Sequence, residues 1–583
     1  MMTILRRCSA LLVLLAASIA APALAKGALS DTDGVLRYVP HDTPYVFASG
    51  EPLPDAVLDK LEPGFENVLQ SYQEFLREMM RAELDNDDND ASAEERERMM
   101  AVVDEITGLM SIEGMRNAGI ERDSGMVLYG QGILPVFRIE LADADKFVAI
   151  VERIEEAAGE SMQTASVGKE SYRYIGDEDG QLIIALIDGH AVFTLAPDGI
   201  EEKDLKSLLG LSAPRNNIAR SGKLQKVVDD HDFTEHYVGF IDVLRISSFL
   251  TEKPTGLNAL VMEDGDFDPA SLSDVCKSEI HDTVNVAPRI VFGYDEISTT
   301  GMKSSMIVEM REDIAAGLTG LSALVPGLGF DPGGLMSFGI SMNVPAIRAF
   351  AESRIAALEE DPYECEHFAE FQAGVASARA ALAQPLPPFV DGMRGFNVIV
   401  DSLGDYDFSS GQPPQDVDAS VVFSMEDAQA MFMMGAMMSP ELAGVDLQPD
   451  GNPVPLALPQ LQAFAEYSYA AMLDSALAVS IGSDAKSRVT SVINADAAEP
   501  PPFVSTTMDA GTYYEFIAES MTLEADVGAE GEEGGEVSAM PEAAQAALRD
   551  AMLAVGEIYD RMTVDVRFTT RGVVVESFIG FAQ

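Results

Sequence analysis

The 583-residue chain repeats itself at long range, and that repeat limits its fold more than any local motif does. Tyr45-Val46-Phe47-Ala48 reads as a strand followed by Pro54, and Met336-Ser337-Phe338-Gly339 is followed in the same way by Pro345. The two pairs share one offset (338 − 47 and 345 − 54 both give 291). A helical hairpin is expected after each strand. In the first, Phe65, Val68, Leu69, Tyr72, Leu76, Met79 and Met80 recur at the spacing of one helix face. Ser92-Ala93-Glu94-Glu95 is a capping box for the next helix, whose stripe is Met99, Val103, Ile106 and Met110. The second hairpin is expected at 345–360 and 364–384, and each hairpin ends near a Gly-Met-Arg, at Gly114-Met115-Arg116 and Gly392-Met393-Arg394.

A strand then runs into a helix cap in both halves: residues 137–141 into Asp143, and 421–425 into Asp427. The first helix stops at Gly159. A meander follows at 172–175, 182–187 and 191–195, turning at Asp179-Gly180 and Asp188-Gly189, where glycine accepts the positive φ that tight hairpins need. Its last strand has a partner at 477–481. Phe240-Ile241 and Phe516-Ile517 are expected in similar strands. The closing hairpins fall at 289–294 with 305–310, and at 564–568 with 573–578. Alternating strands with tight turns favour antiparallel sheets, and singly striped helices need a sheet face to cover. The expected class is therefore α+β: two similar halves, each an antiparallel sheet covered by amphipathic helices including a helical hairpin. The halves are 26–325 and 335–583, joined by a Pro/Gly-rich linker at 326–334, with a Gly/Glu-rich disordered loop at 529–535.

Residues 1–25 read as a secretory signal peptide: Arg6 and Arg7, a Leu/Ala-rich core at 10–21, and Ala23-Leu24-Ala25 before Lys26. No later stretch is long and apolar enough for a membrane span. Export leaves Cys276 and Cys365, an even number in an oxidising compartment, and a disulfide between them is expected to fix the two halves against each other. The segment Val39-Pro40-His41-Asp42-Thr43-Pro44 resembles the opening of uncharacterised exported tandem-repeat proteins of Gram-negative bacteria. The resemblance implies export and carries over no catalytic residue and no function.

Charge excludes some partners. Lys plus Arg number 38 against 96 Asp plus Glu, a net charge of −58, which repels nucleic acid and anionic membrane surfaces and keeps the chain soluble. Enzyme signatures are missing: there is no Gly-x-Ser-x-Gly elbow, no HExxH pair and no Walker A loop. Gly130-Gln131-Gly132 is a turn, since Pro135 stands where a dinucleotide loop needs its last glycine. Asp85-x-Asp87-x-Asn89 opens like a calcium loop but has Asp90 and Arg96 where glycine and glutamate are required, and Asp264-x-Asp266-x-Asp268 is no stronger. His231 and His236, among Asp229, Asp230 and Asp232, are expected in a polar loop before a strand.

Methionine is abundant, 29 in all, and Met425, Met431, Met433, Met434, Met437 and Met438 crowd one expected helix. Thioether side chains fill irregular cores and make adaptable apolar surfaces. The expected function is an exported, non-enzymatic binding or scaffold protein of the cell envelope, periplasmic or secreted, with no cofactor, no metal and no catalytic residue. An apolar small molecule or envelope protein, such as a lipoprotein, would occupy a groove lined by Met425, Met431, Met434, Met437 and Met438. The alternative is a metal-assisted hydrolase using acidic residues near His231 and His236. Thiol titration of the chain from Lys26 onward should find free thiols only after reduction; two thiols on the unreduced protein would reject the disulfide.

Overall fold

Two-residue periodicity and glycine-bearing turns organise the strands. The computed structural model describes residues 29–85, 92–177, 180–263, 269–404, 414–527 and 540–583. The expected signal peptide, Cys8, the loop 529–535, and the acid-rich runs 86–90 and 264–268 lie outside the described residues. The protein is mixed α+β, and its chain forms two compact units. Unit 1 is Met1–Leu272, Pro288–Ser304 and Met521–Ile558; unit 2 is Ser273–Ala287, Ser305–Ser520 and Tyr559–Gln583. No helix among the described residues is long and apolar enough to cross a membrane.

Unit 1 holds β1 (Tyr45–Ala48), β2 (Met126–Gln131), β3 (Leu134–Glu140), β4 (Gln163–Val167), β5 (Glu170–Asp177), β6 (Gly180–Ile187), β7 (His190–Ala196), β8 (Val238–Asp242) and β9 (Arg289–Ser298). All pair antiparallel, in the spatial order β9-β8-β1-β2-β3-β7-β6-β5-β4. The β6–β7 hairpin turns on Asp188 (φ 51°) and Gly189 (φ 77°), the paired left-handed residues of a two-residue turn. Alternation along β3 sends Phe137 and Ile139 to one face. There they meet Met99, Val103 and Ile106 of helix Ala93–Gly108 and Ile150 and Ile154 of helix Ala144–Ala158. The capping box at Ser92 and Glu95 forms as expected, and Asp143 and Gly159 bound the second helix. Helix Asp55–Asp85 reaches helix Ala93–Gly108 through Arg77 and Asp104, 2.7 Å apart. It is also covered by helix Glu542–Ile558: Gly64 lies so close that an added Cβ would stand 2.5 Å from Ile558 Cγ1.

The opposite face of β3 carries Arg138, which has no exposure to solvent. Its guanidinium lies 3.7 Å from the Tyr38 ring centroid and donates to the Leu209 carbonyl at 2.7 Å, while Nε and Nη1 meet no acceptor at hydrogen-bond geometry. His190 packs edge-on to Tyr38, its Nδ1 2.9 Å from the Asp188 carbonyl. The Val39–Pro44 segment is a clasp in this unit. The buried Thr43 hydroxyl donates to the Gly130 carbonyl at 2.8 Å and accepts from the Gly130 N–H at 3.1 Å.

Unit 2 holds β10 (Gly301–Glu309, from Ser305 on), β11 (Met336–Ser341), β12 (Met393–Ser402), β13 (Asp418–Met425), β14 (Val454–Pro455), β15 (Ser468–Leu473), β16 (Ala476–Ile481), β17 (Val504–Asp509), β18 (Tyr559–Thr569) and β19 (Gly572–Phe581). Their order is β10-β19-β18-β17-β11-β12-β13-β16-β15-β14. Val422 and Ile399 face Val489 and Ile493 of helix Ala485–Ile493, while Phe423 and Met425 face the other way, toward Leu447 and Leu456. Buried serines on the Val422 face find acceptors on irregular backbone: Ser424 donates to the Leu324 carbonyl at 2.9 Å and Ser341 to that of Pro502 at 2.6 Å.

Several expectations change. The compact units do not follow the boundaries 26–325 and 335–583: residues 273–287 belong to unit 2 and 542–558 to unit 1. Cys276 and Cys365 are joined by a disulfide, but both lie in unit 2, so the bridge staples one unit internally. Phe516 and Ile517 sit in helix Ala510–Val527 and not in a strand, because β17 has already ended at Asp509. Gly114-Met115-Arg116 lies in the short helix Ile112–Asn117, whereas Met393 and Arg394 begin β12, so the two tripeptides hold different positions.

His190 gives the fold a pH dependence. Burial first, and then the Arg138 cation, hold its pKa down at about 4 from an ordinary 6.5. The unfolded imidazole therefore takes up its proton at higher pH than the folded one. Stability present above pH 6.5 should fall as the pH drops toward 4, by about 3 kcal/mol. His190→Gln should remove that part of the loss in denaturant titrations at pH 7 and pH 4; equal losses in both proteins would refute it.

Candidate functional site

Unit 2 gathers the exposed apolar and ionisable features of interest. Helix Ala428–Met438 begins where β13 ends, with the Asp427 carboxylate accepting from the Ala430 N–H at 2.8 Å. The helix is apolar on every side, so burying one face leaves another in solvent. Ala428, Met431 and Phe432 anchor it on Leu442, Leu456 and Met472. Met433 is 60% exposed, and Met437 and Met438 are each 82% exposed. Met425 is the last residue of β13, not a helix residue, and is buried in the core; Met434 is half-buried. The five methionines expected to share a groove are thus spread from core to surface.

On the sheet, Arg488 of helix Ala485–Ile493 lies between two strand-end carboxylates, 3.1 Å from Asp401 of β12 and 2.9 Å from Asp418 of β13. Asp418 also accepts from the Ser483 N–H at 2.9 Å. Desolvation raises the Asp401 pKa; the Arg488 cation opposes that shift and the Asp418 charge adds to it. Asp401 borders two recesses. One, of about 430 Å³, is lined by Leu335, Asp401, Asp509, Thr512 and Glu515. The other, of about 490 Å³, is lined by Phe330, Ile399, Asp401, Arg488 and Val492. The first recess is lined mainly by polar groups, and the second by apolar groups beside the Arg488–Asp401 pair.

The histidines do not come together with these groups. His231 ends helix Lys223–His231 in unit 1, where it is buried and stacked on Phe233 with ring centroids 5.5 Å apart. It therefore sits in a helix and not in the expected loop, because the apolar positions Leu224, Val227 and Val228 carry the helical pattern up to it. His236 is half-buried, with Nδ1 3.4 Å from the Glu51 carbonyl. Among the described residues the one group of metal-ligand atoms within 4.8 Å of one another is Cys276, Cys365 and Glu366, and its two sulfurs are bonded to each other.

Arg138, Asp401 and Arg488 were not legible as special. Arg138 had a weak signal, a charge inside the apolar run Val136-Phe137-Arg138-Ile139; Asp401 and Arg488 had none among so many carboxylates. No protein-family model, curated protein or solved structure matches this chain.

Replacing Arg488 would leave Asp401 and Asp418 facing each other without their shared cation. Arg488→Ala should destabilise the protein by about 2 kcal/mol at pH 7. It should cost less at pH 4, where Asp401 takes a proton more readily, as measured by urea unfolding at both pH values.

Proposed function

We propose that this is an exported binding or scaffold protein of the cell envelope, built from two copies of one sheet module, whose partner-facing surface is the methionine-rich end of helix Ala428–Met438. The observation that carries the reading is the exposure of Met433, Met437 and Met438 on a helix whose other side is anchored in the core. Flexible, polarisable thioethers held at a surface adapt to apolar partners of varied shape. A lipoprotein or an apolar small molecule has the matching chemistry, and the net charge of −58 turns polyanions away. The disulfide fits a periplasmic or secreted location.

Duplication is supported by connectivity. The order β9-β8-β1-β2-β3-β7-β6-β5 corresponds strand for strand to β18-β17-β11-β12-β13-β16-β15-β14. Asp242 and Asp509 end corresponding strands, and each accepts from the N–H three residues on, Arg245 at 2.9 Å and Thr512 at 2.8 Å. Asp143 and Asp427 cap corresponding helices. Gly34 to Pro40 and Gly320 to Pro326 share the spacing Gly-x-x-x-x-Val-Pro just before β1 and β11. Helices Asp55–Asp85 and Ala93–Gly108 are tied by Arg77 and Asp104, and helices Val344–Glu360 and Ala369–Leu382 by Arg379 and Glu359 at 2.6 Å, as two helical hairpins would be.

The triple substitution M433S/M437S/M438S should leave the thermal midpoint unchanged, since these side chains contribute little to the core. It should lower the binding of an environment-sensitive apolar dye severalfold. Dye binding that survives the substitution would reject this surface.

A further inference from the structure

Strand β4 of unit 1 is an edge strand among the described residues. Among the described residues it pairs with β5 alone, in the register Val167↔Glu170, Ala165↔Tyr172 and Gln163↔Tyr174, with Thr164 and Ser166 between. The hairpin closes on a two-residue turn, Gly168-Lys169, with Gly168 at φ 67°. Such a turn makes Val167 and Glu170 a hydrogen-bonded pair, and in an antiparallel ladder those pairs alternate. The main-chain N–H and C=O groups of Thr164 and Ser166 therefore point away from β5, and both residues are exposed. Gln163-Thr164-Ala165-Ser166-Val167 contains no charge and no proline, the usual devices that keep a sheet edge from pairing. The outermost strand on the corresponding side of unit 2 is blocked: it is two residues long, Val454–Pro455, with Pro453 just before it. One unit closes this edge and the other leaves it open.

A recess adjoins the open edge. It has a volume of about 370 Å³ and is lined by Phe147 and Val151 of helix Ala144–Ala158, by Thr164 of β4, and by Tyr172, Ile184 and Leu186 of β5 and β6. Thr164 shares a sheet face with Arg173 and Ile184, the face that the helix covers, so a strand added beside β4 directs alternate side chains toward this recess. Main-chain pairing supplies affinity in such complexes, and side-chain pockets supply specificity. Glu170 and Arg173 both line the recess, Arg173 is flanked by Glu155 at 3.3 Å and Glu152 at 4.0 Å so that carboxylates outnumber it, and the whole chain carries a charge of −58. A second copy of the chain is repelled, and a basic strand is attracted.

We propose that the β4 edge is a docking site for an extended, basic peptide segment with alternating apolar side chains, which adds to the sheet as a further strand through Thr164 and Ser166 and places an apolar side chain in the Phe147–Tyr172 recess. The site is independent of the methionine surface and of the duplication. The probe is a fluorescent heptapeptide alternating lysine and leucine, titrated into the full chain, with a glutamate–leucine heptapeptide as control. The N–H of Ser166 serves no bond to β5, so Ser166→Pro keeps the hairpin and removes the docking donor. The lysine peptide should bind wild type, lose affinity about tenfold or more in Ser166→Pro at an unchanged thermal midpoint, and slow hydrogen exchange at the Thr164 and Ser166 amides of wild type. Equal binding by the glutamate peptide, equal binding by Ser166→Pro, or unchanged exchange at those two amides would overturn the proposal. A wild-type dimer that Ser166→Pro dissociates would overturn it in favour of a second copy as the occupant. Should Ser166→Pro unfold, the exchange measurement on wild type decides alone.

Discussion

Backbone pairing of two short strands, β1 and β11, is the constraint on which the rest of the structure depends. β1 lies between β2 and β8, and β11 between β12 and β17, so each central strand is completed only by segments far along the chain. Closing those long excursions costs chain entropy before any contact returns it. In unit 1 the excursion offsets part of that cost by folding into helix Ala93–Gly108, which covers the sheet it has just helped to close. Thr43 adds a local anchor, bonding in both directions to Gly130 beside β1.

Strand alternation then sorts the side chains. On β3, Phe137 and Ile139 join the helix-covered core while Arg138, between them, enters the opposite face as a fully buried cation. A charge there is tolerated because the Tyr38 ring and the Leu209 carbonyl replace part of its hydration, and its field adds to burial in lowering the His190 pKa. On β13, Val422 and Phe423 part in the same way, and serines on the Val422 face bond to carbonyls of the connecting backbone. The covered faces of the two units thus carry different chemistry: a buried cation in one and hydrogen-bonded serines in the other.

The surfaces proposed for binding come from what the fold fails to cover. Helix Ala428–Met438 has more apolar surface than one contact face can bury, and β4 has backbone groups that no described neighbour pairs. The acidic charge surrounds both, and such a field opposes polyanions and a second copy of the chain and attracts basic groups.

Strands, turns and caps were legible in the residues, because each is decided within a few positions: Asp188-Gly189 for a tight turn, Ser92 to Glu95 for a helix start, Asp143 and Asp427 for two more. The pairing of Cys276 with Cys365 was legible too, since no other cysteine follows the leader-like segment. Sequence pattern misplaced Phe516 in a strand and counted Met425 both as a strand end and with the helix methionines; long-range pairing put it in β13. The sequence by itself determined most element types and the acidity. Only the tertiary structure decided that residues 273–287 and 542–558 serve different compact units, that Arg488 stands between Asp401 and Asp418, and that β4 pairs on one side alone among the described residues. Local backbone preference acts over a few residues, whereas these features depend on which distant segments meet, and that is set by the balance of closure entropy against buried surface.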